Sequence, residues 1–179
     1  MLRVCDIVLY SDNSMLSKAI KLFSRQTKED GLTEYNHVSL VDYSNYVIEA
    51  LPIGVKISQF SDSTKGKECT VYRLKNLSHD SEKKILDAAR SKVGKKYGYL
   101  KILGHFLDYC ISRPTNKNIY FFRKFCKMEN YPICSWLVGY AFSKANINFG
   151  LHYTVLQPDD IGDFIESNRH LFTKVIEKI

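Results

Sequence analysis

The chain has 179 residues, enough to bury a core without disulfide or metal staples. Its 45% apolar and 25% charged residues exclude a disordered or low-complexity protein. Lys and Arg outnumber Asp and Glu by 26 to 19, a formal charge of +7. The cations are scattered and accompany no nucleic-acid-binding motif, so a solvated basic face is expected and no nucleic-acid partner.

In chain order, Val4 to Tyr10 reads as a buried strand, being rich in β-branched and apolar residues. Ser14 caps an expected helix to about Ser24, with Leu16, Ala19, Ile20 and Phe23 at helical spacing. A polar loop follows. Tyr35 to Ala50 reads as a β-hairpin turning near Asp42–Asn45, which Pro52 and Gly54 bring to an end. Val55 to Phe60 and Glu68 to Leu74 are further short strands.

Ser78 to Val93 is the clearest helix, with Ser78 or Asp80 as its cap, an apolar face of Ile85, Leu86, Ala89 and Val93, and a terminating Gly94. Tyr99 to Ile111 is apolar and fits either helix or strand. Ser112 to Tyr131 is basic and aromatic and reads as an irregular excursion. A second helix is expected from Cys134 to about Ala145. Pro158 opens a third through Ser167, and Phe172 to Ile176 closes the chain as a strand. Strands gathered in the first half and at the end, with helices around them, give an α+β pattern and not an alternating one.

The opening residues lack the basic start and cleavage site of a signal peptide. No run reaches the roughly 18 apolar residues of a membrane span. A cytoplasmic protein is therefore expected, with membrane contact open but not through a span. Five cysteines with no CxxC pair argue for free thiols and against a structural zinc site.

Cys134 lies two residues after Pro132 and opens an apolar helix. Amides at a helix start stabilise a thiolate and can donate to an oxyanion. A buried structural cysteine fits the same local sequence. A nucleophilic thiol needs a base, and His37 is the best of five histidines, since it interrupts an apolar strand. Period-two alternation puts His37, Ser39 and Val41 on one face of the hairpin, with Val47 and Glu49 on the partner run. Pairing Val38 with Ile48 and Leu40 with Tyr46 sets His37 directly across from Glu49. A carboxylate there would orient the imidazole. An ordinary polar pair on a solvated face fits equally well.

These residues resemble a known family. Cys5-Asp6-Ile7-Val8 is similar to a GDIV-type strand, with Cys5 at the usual glycine. His37-Val38, Val47-Ile48-Glu49-Ala50, Gly94-Lys95-Lys96-Tyr97, Cys134-Ser135-Trp136-Leu137-Val138 and Gln157-Pro158-Asp159-Asp160-Ile161 follow in the order found in circularly permuted, YiiX/YaeF-like relatives of the NlpC peptidases. The lecithin:retinol acyltransferases are cousins. The resemblance implies one permuted papain-like domain over 1–179, with an antiparallel sheet packed against the helix that bears the cysteine, and a less typical insertion near 99–131.

It further implies Cys134 as nucleophile, His37 as base and Glu49 as the orienting group. Tyr97, Ser135 and Trp136 are implied as substrate-side residues, the last two through the cysteine motif. Trp136 and Gly98 stand where the family often has acidic residues. The expected activity is a cysteine amidase or peptidase-like hydrolase working through an acyl-enzyme, with no cofactor and no metal. The expected substrate is a peptide, amide or lipid ester. A lipid acyltransferase, or a module that binds through Tyr120 to Lys127 without catalysis, stays open, as does the oligomeric state. The apolar run of Leu100, Ile102, Leu103, Phe106 and Leu107 reads more simply as core than as an acyl pocket.

Overall fold

The computed structural model describes residues 1–12, 34–115, 119, 121–122 and 131–177, apart from the side chains of Lys101 and His105. The helix expected from Ser14 and most of the 116–130 stretch lie outside the described residues. Six antiparallel strands form one sheet: β1 (Ile7–Ser11), β2 (His37–Tyr43), β3 (Tyr46–Leu51), β4 (Gly54–Gln59), β5 (Glu68–Leu74) and β6 (Phe172–Ile176). Their order is β4-β3-β2-β1-β5-β6. The described helices are α1 (Phe60–Thr64), α2 (His79–Arg90), α3 (Tyr99–Thr115), α4 (Cys134–Ser143) and α5 (Pro158–Ser167).

Alternation along the strands sorts the side chains into two layers. Ile7, Leu9, Val38, Leu40, Ile48, Ala50 and Tyr72 face α2 and α4 and form the main core with Ile85, Ala89, Leu137, Val138 and Phe142. Val8, Tyr10, Val41, Val47, Cys69 and Val71 form a smaller cluster on the other face. Helix α4 is apolar almost all round, as a fully enclosed helix must be. It packs on β2 and β3. The short polar α1 leads from β4 to the turn before β5.

Three sequence expectations change. The first strand starts at Ile7, not Val4, because Arg3 to Asp6 closes a turn: the Asp6 amide donates to the Arg3 carbonyl and the Arg3 amide to the Asp6 carboxylate. Asp6 is fully buried and takes both Nε and Nη2 of Arg73 at 2.7 Å. Cys5 sits in that turn at φ 63°, a conformation that favours glycine. This explains why the resemblance puts a glycine there.

The second change is hairpin register. Leu40 pairs with Ile48 and Val41 with Val47, two residues away from the expected pairing. A bulge between Val41 and Tyr43 takes up an extra residue. It is anchored by buried Asp42, whose carboxylate receives Arg90 Nε from α2 at 2.7 Å. A slip of two leaves every side chain on its expected face.

Third, the ambiguous apolar segment is helix α3, 17 residues long. Leu100, Leu103 and Phe106 are exposed on it, against the expectation of core. Only Ile102 of that run is packed against the main core.

Candidate active site

The site is assembled where β2 begins and α4 begins. Ile133 is extended, with φ −107° and ψ 169°, and Cys134 is the first residue of the helix. The first backward helical bond runs from the Leu137 amide to the Ile133 carbonyl at 2.9 Å. Cys134 therefore occupies the positive end of α4, where first-turn amides point out of the helix. It is buried, 3% exposed.

His37 opens β2 at the rim of the sheet. From there its ring reaches two groups that belong to opposite layers. Its Nε2 lies 3.1 Å from Glu49 Oε2, and Cys134 is its other hydrogen-bonding neighbour. The expected His37–Glu49 contact is therefore present, but it is diagonal across the hairpin and not directly opposite.

The electrostatics follow from this contact. Burial alone would hold the imidazolium down, but Cys134 and Glu49 outweigh it and raise the His37 pKa to about 9. Burial likewise works against the Glu49 carboxylate. His37 first, and then the Ser58 and Ser63 hydroxyls, overcome that and lower its pKa to about 2. Elsewhere in the fold, burial pushes the Cys5 thiol up to about 12 and the Cys69 thiol up to about 11.

Tyr97 is buried at 6% exposure and close enough to Cys134 to feel its charge. Burial first, and then Cys134, push its phenol well above the ordinary tyrosine range, so it remains a neutral donor. Gly98 fixes this placement. Its amide donates to the Pro132 carbonyl at 3.1 Å, and a Cβ there would meet the Tyr131 carbonyl oxygen at 2.3 Å. An acidic side chain at this position, as the family often has, would not fit this close approach.

Ser135 and Trp136, expected on the substrate side, are buried and make contacts within the fold. The Ser135 hydroxyl donates to the Leu156 carbonyl at 2.7 Å. Trp136 is 1% exposed, stacks on Tyr140 at 4.7 Å and meets the edge of Tyr153. Sequence reasoning missed Tyr10, Ser39 and Ser63. Tyr10 OH lies 2.7 Å from Ser39 Oγ and 2.8 Å from Ser63 Oγ, and Ser63 Oγ donates to Glu49 Oε2 at 3.0 Å. Ser39 was already on the His37 face by alternation, but nothing in the sequence marks a serine in a five-residue helix.

Among the described residues, no group of three or more His, Cys, Asp or Glu side chains is placed to hold a metal ion. None of their helices is long and apolar enough to cross a membrane.

A cysteine at the start of a buried helix, packed on an antiparallel sheet whose histidine strand comes earlier in the chain, defines the permuted papain-like fold. The chain belongs to the C92 family of permuted papain-like amidase enzymes, YaeF/YiiX, whose model matches residues 2–112. That stretch holds His37, Glu49 and Tyr97 and ends before Cys134. Among solved structures, the chain is similar to the metalloprotein yiiX of Escherichia coli O157:H7. The likeness has a TM-score of 0.56 at 19% identity and covers 98% of this chain and 88% of that one. Comparison with curated proteins finds no match.

Proposed function

We propose that the protein is a cysteine amidase in which Cys134 attacks a carbonyl carbon and His37, oriented by Glu49, moves the proton. The observation that carries this reading is the His37 ring held between Cys134 and Glu49 at the start of α4. The thiol proton passes to His37, which holds it as the imidazolium while the sulfur bonds to the carbonyl carbon. The tetrahedral oxyanion then lies at the positive end of α4, where first-turn amides can donate to it. Collapse expels the amine, which receives its proton from the His37 imidazolium. Water, deprotonated by His37, releases the acid from the acyl-enzyme and restores the thiol. We assign to Tyr97, a neutral phenol near enough to Cys134 to feel its charge, the lining of the acyl site.

The test is intact-mass analysis after treatment with amide-like and ester-like electrophilic probes, followed by peptide mapping. A single adduct on Cys134 is expected, lost in Cys134→Ala and formed much more slowly in His37→Ala. Buried Cys5 and Cys69 should stay unmodified in the folded protein. Equal labelling of Cys134 and Cys5, or no effect of His37→Ala, would refute the reading. Once a substrate is found, His37→Ala added to Cys134→Ala should cost little more, because the two act as one unit.

One observation favours a lipid ester or lipid amide over a peptide. Tyr99, Leu100, Leu103, Phe106 and Ile111 are exposed along α3, which starts directly after Tyr97 and Gly98. Sedimentation with phospholipid vesicles, comparing wild type with Leu103→Ser, separates the two substrate classes. A peptide substrate predicts no sedimentation of either protein. The module that binds through Tyr120 to Lys127 rests largely on residues outside those described.

A further inference from the structure

We propose that Ser63 is a positioning residue for the His37–Glu49 pair, and that a one-way donor chain from Ser39 through Tyr10 to Ser63 holds it in that role. The inference rests on the reading of Cys134 and His37 as the working unit.

The direction of the chain follows from proton counting. An ionised carboxylate can only accept, so Ser63 Oγ donates to Glu49 Oε2 across 3.0 Å. A hydroxyl has one proton. With that proton spent, Ser63 can only accept from Tyr10 OH, 2.8 Å away. Tyr10 has then spent its own proton and must accept from Ser39 Oγ at 2.7 Å. Every dipole in the series points the same way, toward Glu49. Such chains polarise one another and strengthen the terminal bond.

Burial keeps this arrangement from being exchanged for water. Tyr10 and Ser39 are fully buried, Glu49 is 1% exposed and Ser63 is 4% exposed. His37 Nε2 and Ser63 Oγ meet on the same carboxylate oxygen, Oε2. Glu49 therefore cannot rotate that oxygen away from Ser63 without also breaking its bond to His37. Tyr10 acts on the histidine a second time, with its ring centroid 5.1 Å from the imidazole. Lys67 closes the arrangement, with Nζ 5.3 Å from the Tyr10 ring centroid and donating to the Ser63 carbonyl at 2.9 Å. The short helix α1 thus places one hydroxyl behind the carboxylate that orients the base.

The experiment measures iodoacetamide alkylation of Cys134 at pH 6.5 by peptide mass spectrometry, so no substrate is needed. Ser63→Ala and Tyr10→Phe are made in wild type and in Glu49→Gln, and thermal midpoints verify folding. In the wild-type background each should slow Cys134 by about three- to tenfold, the effect of losing one hydrogen bond in the chain. In the Glu49→Gln background each should change the rate less than about twofold, because a residue acting through Glu49 has nothing left to position. Ser63→Thr, which keeps the hydroxyl, should restore the wild-type rate. Equal losses in both backgrounds, or no loss in wild type, overturn the role of Ser63. If Glu49→Gln itself leaves alkylation unchanged, the underlying reading of the triad falls instead. Should Ser63→Ala not fold, Tyr10→Phe carries the same comparison.

Discussion

Replacing Glu49 by Gln keeps the shape of the side chain and removes its charge. The His37 pKa rises from 6.5 to about 9 in the folded protein, which corresponds to about 3 kcal/mol favouring the imidazolium, at about 1.4 kcal/mol per unit. Cys134 and Glu49 share this gain after burial has been overcome. Loss of one opposite charge within hydrogen-bond reach should therefore lower the His37 midpoint by about one to two units. Imidazole NMR against pH measures it directly. The basic limb of the pH–rate profile should move down with it, because the imidazolium protonates the leaving amine.

Stability gives an independent measurement. The folded His37 pKa lies above its unfolded value, so its contribution is full below about pH 6.5 and is lost as pH rises through about 9. The folded Glu49 pKa lies below its unfolded value, so its contribution is full above about 4.5 and is lost as pH falls through about 2. Denaturant unfolding of wild type and Glu49→Gln should therefore differ most near pH 5.5 and differ less by pH 10, where the neutral imidazole no longer forms an ion pair with the carboxylate while the Ser63 bond remains. A His37 midpoint that stays near 9 in Glu49→Gln, or a stability difference that does not change between these pH values, would refute the account.

Two further predictions follow from the packing around Cys134. Gly98→Ala forces a methyl group toward the Tyr131 carbonyl, where a Cβ would lie at 2.3 Å; a loss of about 1–3 kcal/mol is expected by chemical denaturation, together with slower Cys134 alkylation as Tyr97 shifts. Ser135→Ala should cost about 1–3 kcal/mol by leaving the buried Leu156 carbonyl without its donor and should change Cys134 alkylation less than twofold, whereas Trp136→Ala should cost about 3–5 kcal/mol; a large alkylation defect in Ser135→Ala with normal stability would return Ser135 to the substrate side.

Much of the fold was legible because its signals are local. Alternation placed β2, β3 and β5. A cap before the apolar face marked the start of α2, where the Ser78 side chain accepts from the Ser81 amide, although the helix ends at Arg90 and not at the expected Val93. Pro158 opens α5 as its fixed φ predicts. The face shared by His37 and Glu49 was also legible, because side-chain direction repeats every two residues whatever the register.

What the sequence could not settle depends on partners distant along the chain. The register turns on a bulge at Asp42 that Arg90 holds from α2. The start of β1 turns on Asp6, which Arg73 buries. Tyr97 reaches Cys134 because Gly98 lets residues 97–98 close on 131–133. Ser135 and Trp136 are engaged by Leu156 and Tyr153, which come from a later stretch of the chain. The serine behind Glu49 has no motif at all. By itself the sequence determined which residue types could do the chemistry and which faces they share, since covalent geometry and short-range periodicity decide both. Only the tertiary structure decided which of them meet, because that depends on long-range ion pairs and close backbone approaches that no local pattern encodes.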